Sequence, residues 1–386
     1  MIPFYSKRNQ VYPVLRQGRA AVEKHFAAME DWERETSLYK SLSGKLSLVP
    51  VLHTEPGLLV TEYIPLPTLP EVLEAQEQAG FSPEPWRALA AWLRRCFRLC
   101  GQLPSDGDLR NFLWDASGNR VAGLDLEGFR PLTLEQSGAS IAAMIQSYDP
   151  ADTAVKRRAA AVLAGELRIP DAAPAEARRR LAEFRREQKG PLFSGIVLAG
   201  GASRRMGTGK AALPLEGKSL LAWQVEKLRA LGIQDILLSG KDCPALPGTR
   251  VVPDELPDRG PLGGLYSCFR AAEHPRCLVL SVDTPLVPAA ALDKLSRLHT
   301  KGMTCLRRAG KPEPLIAVYD TALEKSIHSL IKEGGAAVRA LERPASCTYF
   351  DYLGPPEYLL NCNTPQQFAQ ARQLAACCAR RQIPLQ

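Results

Sequence analysis

The sequence predicts an α/β protein of two domains, and three observations carry that expectation. Its 386 residues exceed what one ordinary hydrophobic core serves. Beyond Pro191, short apolar runs alternate with helical patterns, which indicates a parallel sheet covered by helices. The first half instead gives a few extended segments and then turns mostly helical, an α+β pattern.

In chain order, residues 11–15 and 20–25 read as extended, and a helix is expected around 32–43. Residues 85–99 read as a second helix. Residues 171–190, DAAPAEARRRLAEFRREQKG, are rich in helix formers with alternating charge, and Lys189-Gly190-Pro191 stops them. They predict a solvated helical linker. Residues 193–198 then form an apolar run ending in Gly200-Gly201. A helix is expected over 219–231, with Leu221, Val225 and Leu228 on one face and Gly232 as its stop. Residues 236–238, 249–252 and 277–282 read as further strands. The expected division is therefore a first domain at 1–168, a linker at 169–190 and a second domain at 191–386. No internal repeat is visible.

Lys plus Arg is 49 and Asp plus Glu is 41, so the net charge is +8. This mild excess suits a phosphate-bearing small substrate as well as nucleic acid. Neither a signal-peptide pattern nor a run of ~20 apolar residues is present, so a cytoplasmic protein without a membrane partner is expected. The ten cysteines form no CxxC pair and no zinc spacing, and they read as reduced, small hydrophobes. Cys377-Cys378 is the one pair to watch for oxidation, with a plain helix end as the favoured reading.

The strongest local signal is LAGGASRRMGTGKAALPLEGKSLL, residues 198–221. It follows a predicted strand, where α/β sheets bind ligands. Gly200 and Gly201 let backbone approach a nucleotide without a Cβ in the way. Arg204, Arg205 and Lys210 supply cationic donors for a polyphosphate. The segment is neither a P-loop, since Ala211 follows Lys210, nor a GxGxxG turn.

With four further motifs in order, residues 191–375 resemble the molybdenum cofactor guanylyltransferases. These are nucleotidyltransferases with a three-layer, Rossmann-like (glycosyltransferase-A-like) fold. The further motifs are Val252-Pro253-Asp254 with Gly260-Pro261-Leu262-Gly263-Gly264-Leu265; LVLSVDTP at 278–285; GKPEPLIAVY at 310–319; and LNCNTP at 360–365. The resemblance implies transfer of GMP from GTP to the phosphate of molybdopterin, giving molybdopterin guanine dinucleotide and pyrophosphate. It implies a nucleotide site at Leu198, Ala199, Gly200, Gly201, Lys210, Asp254, Gly260, Pro261 and Leu262. Lys210, Arg205 and Asp283 would be catalytic, Asp283 would hold Mg2+, and Asn361 and Asn363 would face the pterin. Alternatives remain for several of these residues: a helix N-cap for Asp283, a turn former for Asp254, an Asx turn for the two asparagines. Gly200, where related cytidylyltransferases carry alanine, leaves room for a purine. A molybdoenzyme or cofactor-insertion protein would receive the product, and no nucleic acid is expected. Cytidylyl transfer to another phosphorylated acceptor, or a pterin carrier without turnover, are the alternatives.

The first half carries a second set: Lys24 in an extended segment, Glu35 eleven residues later, LLVTEYI at 58–64, SDGDLRNFLW at 105–114 and VAGLDLE at 121–127. This order resembles the atypical small-molecule kinases, including lipopolysaccharide and aminoglycoside kinase-like proteins, and implies a protein-kinase-like α+β fold. By that likeness Lys24 and Glu35 pair over phosphates, Asp108 orients a hydroxyl, and Asn111 and Asp125 hold Mg2+. No glycine-rich loop precedes Lys24, Asp106 stands where the family has histidine, and the Asp108–Asn111 spacing is two residues short. A pseudokinase scaffold is the alternative.

Overall fold

The computed structural model describes residues 6, 8–105, 107–148, 153–169, 192–199, 210–240, 243–256, 258–334, 337–343 and 346–380. The chain divides into two compact units, one of residues 1–23 with 191–386 and one of residues 24–190. The expected linker helix lies outside the described residues at 170–190; the helix before it ends at Leu167.

The smaller unit is a mixture of strands and helices. It takes the end of β2 (Arg19–His25), then α1 (Met29–Leu42) and the antiparallel hairpin of β3 (Val51–Glu55) and β4 (Leu58–Glu62). Helices α2 (Leu69–Ala79) and α3 (Glu84–Cys100) follow, then the short strands β5 (Leu103–Pro104), β6 (Phe112–Asp115), β7 (Arg120–Gly123) and β8 (Phe129–Arg130). Helices α4 (Leu134–Ser147) and α5 (Ala154–Leu167) close it. Reciprocal capping fixes two helix starts, Thr68 with Glu71 and Thr133 with Gln136. The amphipathic α3 supplies the centre of the core: Trp86, Leu89 and Leu93 are fully buried, and Trp92 meets Phe112 and Phe129 edge-on at 5.3 and 6.2 Å.

The larger unit is built on a seven-stranded sheet. Its strands are β9 (Ser194–Leu198), β12 (Ile236–Ser239), β13 (Arg250–Val252), β14 (Arg276–Ser281), β15 (Met303–Arg308), β16 (Lys311–Asp320) and β17 (Cys347–Asp351), in the order β13-β12-β9-β14-β16-β15-β17. The first four run parallel, β16 is antiparallel to both its neighbours, and β15 and β17 are parallel. The small hairpin of β10 (Pro214–Leu215) and β11 (Lys218–Ser219) precedes α6 (Leu220–Ala230). Helices α7 (Gly260–Ala271), α8 (Ala289–Leu298), α9 (Glu324–Lys332) and α10 (Pro365–Arg380) complete the unit.

The central strands are apolar on both faces, as a sheet sandwiched by helices requires. Ile196, Leu237 and Val279 pack with Leu262, Leu265 and Phe269 of α7 and Ile327 of α9 in one core cluster. On the opposite face, a Cβ at Gly195 would lie 2.7 Å from Leu228 Cδ1 of α6. The result is three layers. Residues 1–23 contribute β1 (Gln10–Arg16), which turns into β2 through Gln17 and Gly18, both at positive φ. Tyr12 of β1 is 1% exposed, stands 5.0 Å from the Tyr352 ring, and the Pro13 carbonyl accepts from the Tyr358 hydroxyl at 2.6 Å.

Candidate functional site

In the larger unit, the chain steps from β9 outward to β12 and β13, then returns to the other side of β9 as β14. The strand order therefore reverses between β9 and β14, and the crevice beyond the carboxyl ends of these strands is the place where open α/β sheets take ligands. Leu198, buried in the core, ends β9 at this edge and Ala199 follows it. Gly200, Gly201, Arg204 and Arg205 lie outside the described residues.

Lys210, Asp283 and Asn363 come together here from three separate segments. Lys210 opens a single 3-10 turn, Lys210–Ala212. Its Nζ lies 3.1 Å from Asp283 Oδ2 and donates to Asn363 Oδ1 at 2.5 Å. The two charged side chains are 17% and 25% exposed, so the pair is partly withdrawn from water but open to a ligand. Lys210 is thus held by two side chains rather than left to solvent.

Asp283 sits on the turn after β14. Its N–H donates to Ser281 Oγ at 3.2 Å and its carbonyl accepts from the Cys362 N–H at 2.7 Å. Helix α8 begins at Ala289 behind Pro288, too late for Asp283 to be its N-cap, so the carboxylate is not engaged in capping. Asn363 lies just before α10. Its N–H donates to the Asn361 carbonyl and to Gln367 Oε1, both at 3.0 Å, while Thr364 and Gln367 cap each other. This backbone lock leaves the Asn363 side chain to meet Lys210, whereas Asn361 contributes a carbonyl to the turn.

Asp254 follows β13, where Ser239 Oγ at the end of β12 lies 3.4 Å from its Oδ1. Burial raises its carboxyl above the usual carboxylate range. Gly260 and Pro261 form the first turn of α7, Gly260 at φ +56°. The Leu262 side chain points into the core and is fully buried. The strand-end edge thus offers hard carboxylate oxygen from Asp283 beside an ammonium from Lys210. The single carboxylate suits a divalent cation that brings phosphate oxygens of its own, and the ammonium suits those phosphates.

Three residues of α6 that the sequence pattern did not single out hold the Asp283 turn: Trp223, Gln224 and Lys227. Their signal in the sequence is faint, because the apolar positions 221, 225 and 228 already account for the buried face.

In the smaller unit, Lys24 Nζ lies 2.7 Å from Glu35, 3.0 Å from Asp125 and 3.0 Å from Glu127. Glu35 also accepts from the Leu126 N–H at 3.2 Å. The expected Lys24, Glu35 and Asp125 are thus brought together, and Glu127 joins them unforeseen although it ends the same VAGLDLE string. Burial pushes the Glu35 carboxyl up to about 8, while the surrounding carboxylates keep Lys24 charged. Asp108 caps the short turn that contains Asn111 and is gripped by Arg110, whose Nε lies 2.9 and 3.1 Å from its two oxygens. The Asn111 carbonyl accepts from the Leu124 N–H, one residue before Asp125.

Residues 195–347 match the family model of the MobA-like NTP transferase domain. A molybdenum cofactor guanylyltransferase of Xanthomonas euvesicatoria pv. vesicatoria is 34% identical over 182 residues, which are 46% of this chain and 93% of the relative. That of Rhizobium meliloti is 35% identical over 195 residues, 46% of this chain and 88% of the relative. The crystal structure of molybdopterin-guanine dinucleotide biosynthesis protein A from Archaeoglobus fulgidus aligns at 20% identity and a TM-score of 0.41, over 48% of this chain and 99% of that one.

Proposed function

The chain belongs, through its C-terminal half, to the molybdenum cofactor guanylyltransferase family of MobA-like NTP transferases, and on that premise we propose that it transfers GMP from GTP to the phosphate of molybdopterin. The chain is a nucleotidyltransferase. The observation that carries the rest is the convergence of Lys210, Asp283 and Asn363 at the strand-end crevice. An acceptor phosphate is already anionic, so the reaction needs no general base. It needs positioning and charge compensation at the α-phosphate. In this reading Lys210 binds the triphosphate, helped by Arg205. Asp254 and the turn at Gly260 and Pro261 border the nucleotide. Asn361 and Asn363 border the acceptor. Asp283 would hold Mg2+, whose charge offsets that of the phosphates when it is bound. A molybdoenzyme or a cofactor-insertion protein would take the product.

The test is pyrophosphate release with each nucleoside triphosphate, with and without molybdopterin. Release that requires GTP and molybdopterin supports the reading. Preference for CTP would point to cytidylyl transfer, and tight pterin binding without release would point to a carrier; either overturns it.

The Lys24, Glu35 and Asp125 cluster favours a kinase-like fold for residues 24–190, and the grip of Arg110 on Asp108 favours a scaffold over an active kinase. Asp108→Ala is then expected to leave pyrophosphate release unchanged. Mg2+-dependent transfer of phosphate from ATP to a hydroxyl acceptor, lost in that variant, would overturn the scaffold reading.

A further inference from the structure

Helix α6 buries three polar side chains against one turn. Trp223 is 7% exposed, and Gln224 and Lys227 are 0% exposed. The Trp223 indole N–H donates to the Pro285 carbonyl at 2.8 Å. The Gln224 amide donates to the Ser281 carbonyl at 2.6 Å and to the Thr284 carbonyl at 3.1 Å. The Lys227 amine donates to the Pro285 carbonyl. These three carbonyls bracket Asp283 on both sides. Cys362 holds the Asp283 carbonyl itself, and the Val282 N–H reaches the Leu198 carbonyl at 3.3 Å. The turn is therefore held from helix, strand and the 361–363 segment together.

Lys227 is the unusual member. Among the described residues no carboxylate lies within ion-pair distance of it, and burial drives its amine far below the ordinary lysine range. Gln224 Oε1 is likewise buried without a hydrogen-bond partner. Groups of this kind weaken a fold. A methionine at 227 would fill similar space without the penalty, as Leu221, Val225 and Leu228 do on the same helix.

We propose that Trp223, Gln224 and Lys227 are positioning residues for nucleotidyl transfer: they fix the 281–285 turn so that Asp283 presents its carboxylate beside Lys210. Lys227 serves this geometry although it destabilises the fold. The inference rests on the reading of Asp283 as the carboxylate of the nucleotide–metal site.

The experiment compares the full-length wild type with Lys227→Met, Trp223→Phe and Asp283→Asn by three readouts: thermal midpoint, Mn2+ binding by electron paramagnetic resonance in the presence of GTP, and kcat and KM for pyrophosphate release. Lys227→Met is expected to melt at the same or a higher temperature, to bind Mn2+ more weakly, and to lose ~10–100-fold in kcat with KM for GTP little changed. Trp223→Phe should move Mn2+ binding and kcat in the same direction by less. If Lys227→Met does not fold, Trp223→Phe decides by the same readouts. A Lys227→Met protein that melts lower, yet binds Mn2+ and turns over like wild type, has lost a purely structural group and overturns the proposal. Asp283→Asn separates the two claims. If it keeps Mn2+ binding and turnover, the reading of Asp283 fails. If it loses both while Lys227→Met and Trp223→Phe lose neither, Asp283 stands and the positioning proposal falls.

Discussion

Lys210 and Asp283 neutralise each other at 3.1 Å in a crevice that is only partly wet. In the proposed reaction a phosphate-bound cation approaching this pair would meet each charge with its opposite, as a pre-organised site does. Asp283→Asn keeps the shape of the side chain and removes its charge. We expect it to fold normally and to lose at least ~100-fold in kcat for pyrophosphate release, a loss that steady-state kinetics would read directly. In the other unit, Glu35 offers a pH test. Its carboxyl is raised from 4.5 to about 8 by burial, so the folded chain binds that proton more tightly than the unfolded chain. The stability it contributes is complete below 4.5 and is lost as pH rises through about 8. Glu35→Gln should remove that component. The expected result is a thermal midpoint that falls more steeply between pH ~5 and ~8 in wild type than in the variant.

Elements act by where their ends fall. The parallel strands β9, β12 and β14 deliver Ala199, Ser239 and the Asp283 turn to one edge, and α7 starts beside them with Gly260 and Pro261. The approach of α7 is close. A Cβ at Gly263 would lie 2.7 Å from the Leu256 carbonyl oxygen, which is backbone and cannot swing away. Gly263→Ala must therefore push α7 off the segment that carries Asp254. We expect a cost of ~1–3 kcal/mol in chemical denaturation, together with a raised KM for the nucleotide. The reciprocal caps at Thr68 and Thr133 show the same logic without a site: the chain ends its loops where a side chain meets the first unpaired N–H groups of a helix.

Across the whole chain, the first 23 residues belong by contact with residues 191–386, although 167 residues of the other unit intervene at 24–190. Tyr12 is buried against Tyr352, and Pro13 holds the Tyr358 hydroxyl. Tyr12→Ala should therefore destabilise the nucleotidyltransferase unit although the substitution lies at the far N-terminus. The expected loss is ~3 kcal/mol. It corresponds to a fall of ~6–12 °C in the midpoint of that unit's transition by calorimetry.

What the sequence determined by itself was local. The apolar runs at 193–198, 236–238 and 277–282 specify strands because a sheet covered on both faces has no polar side to present, and the observed strands fall on them. The glycine-rich, basic run at 198–221 marked Lys210 from its own residues, whereas Asp283 and Asn363 became candidates through the family resemblance of LVLSVDTP and LNCNTP. Their meeting was not written locally. Lys210 and Asn363 stand 153 residues apart, and the reversal of strand order at β9 brings their segments to one edge. Glu127 joined Lys24 for a similar reason: the turn after β7 folds back on α1, where Glu35 is already buried. Lys227 shows the limit most clearly. The apolar positions 221, 225 and 228 did not single out the lysine at 227, because the hydrophobic period says only which face of a helix is buried. Only the tertiary structure, by seating the 281–285 turn over α6, turned that lysine inward and gave its amine a carbonyl to hold.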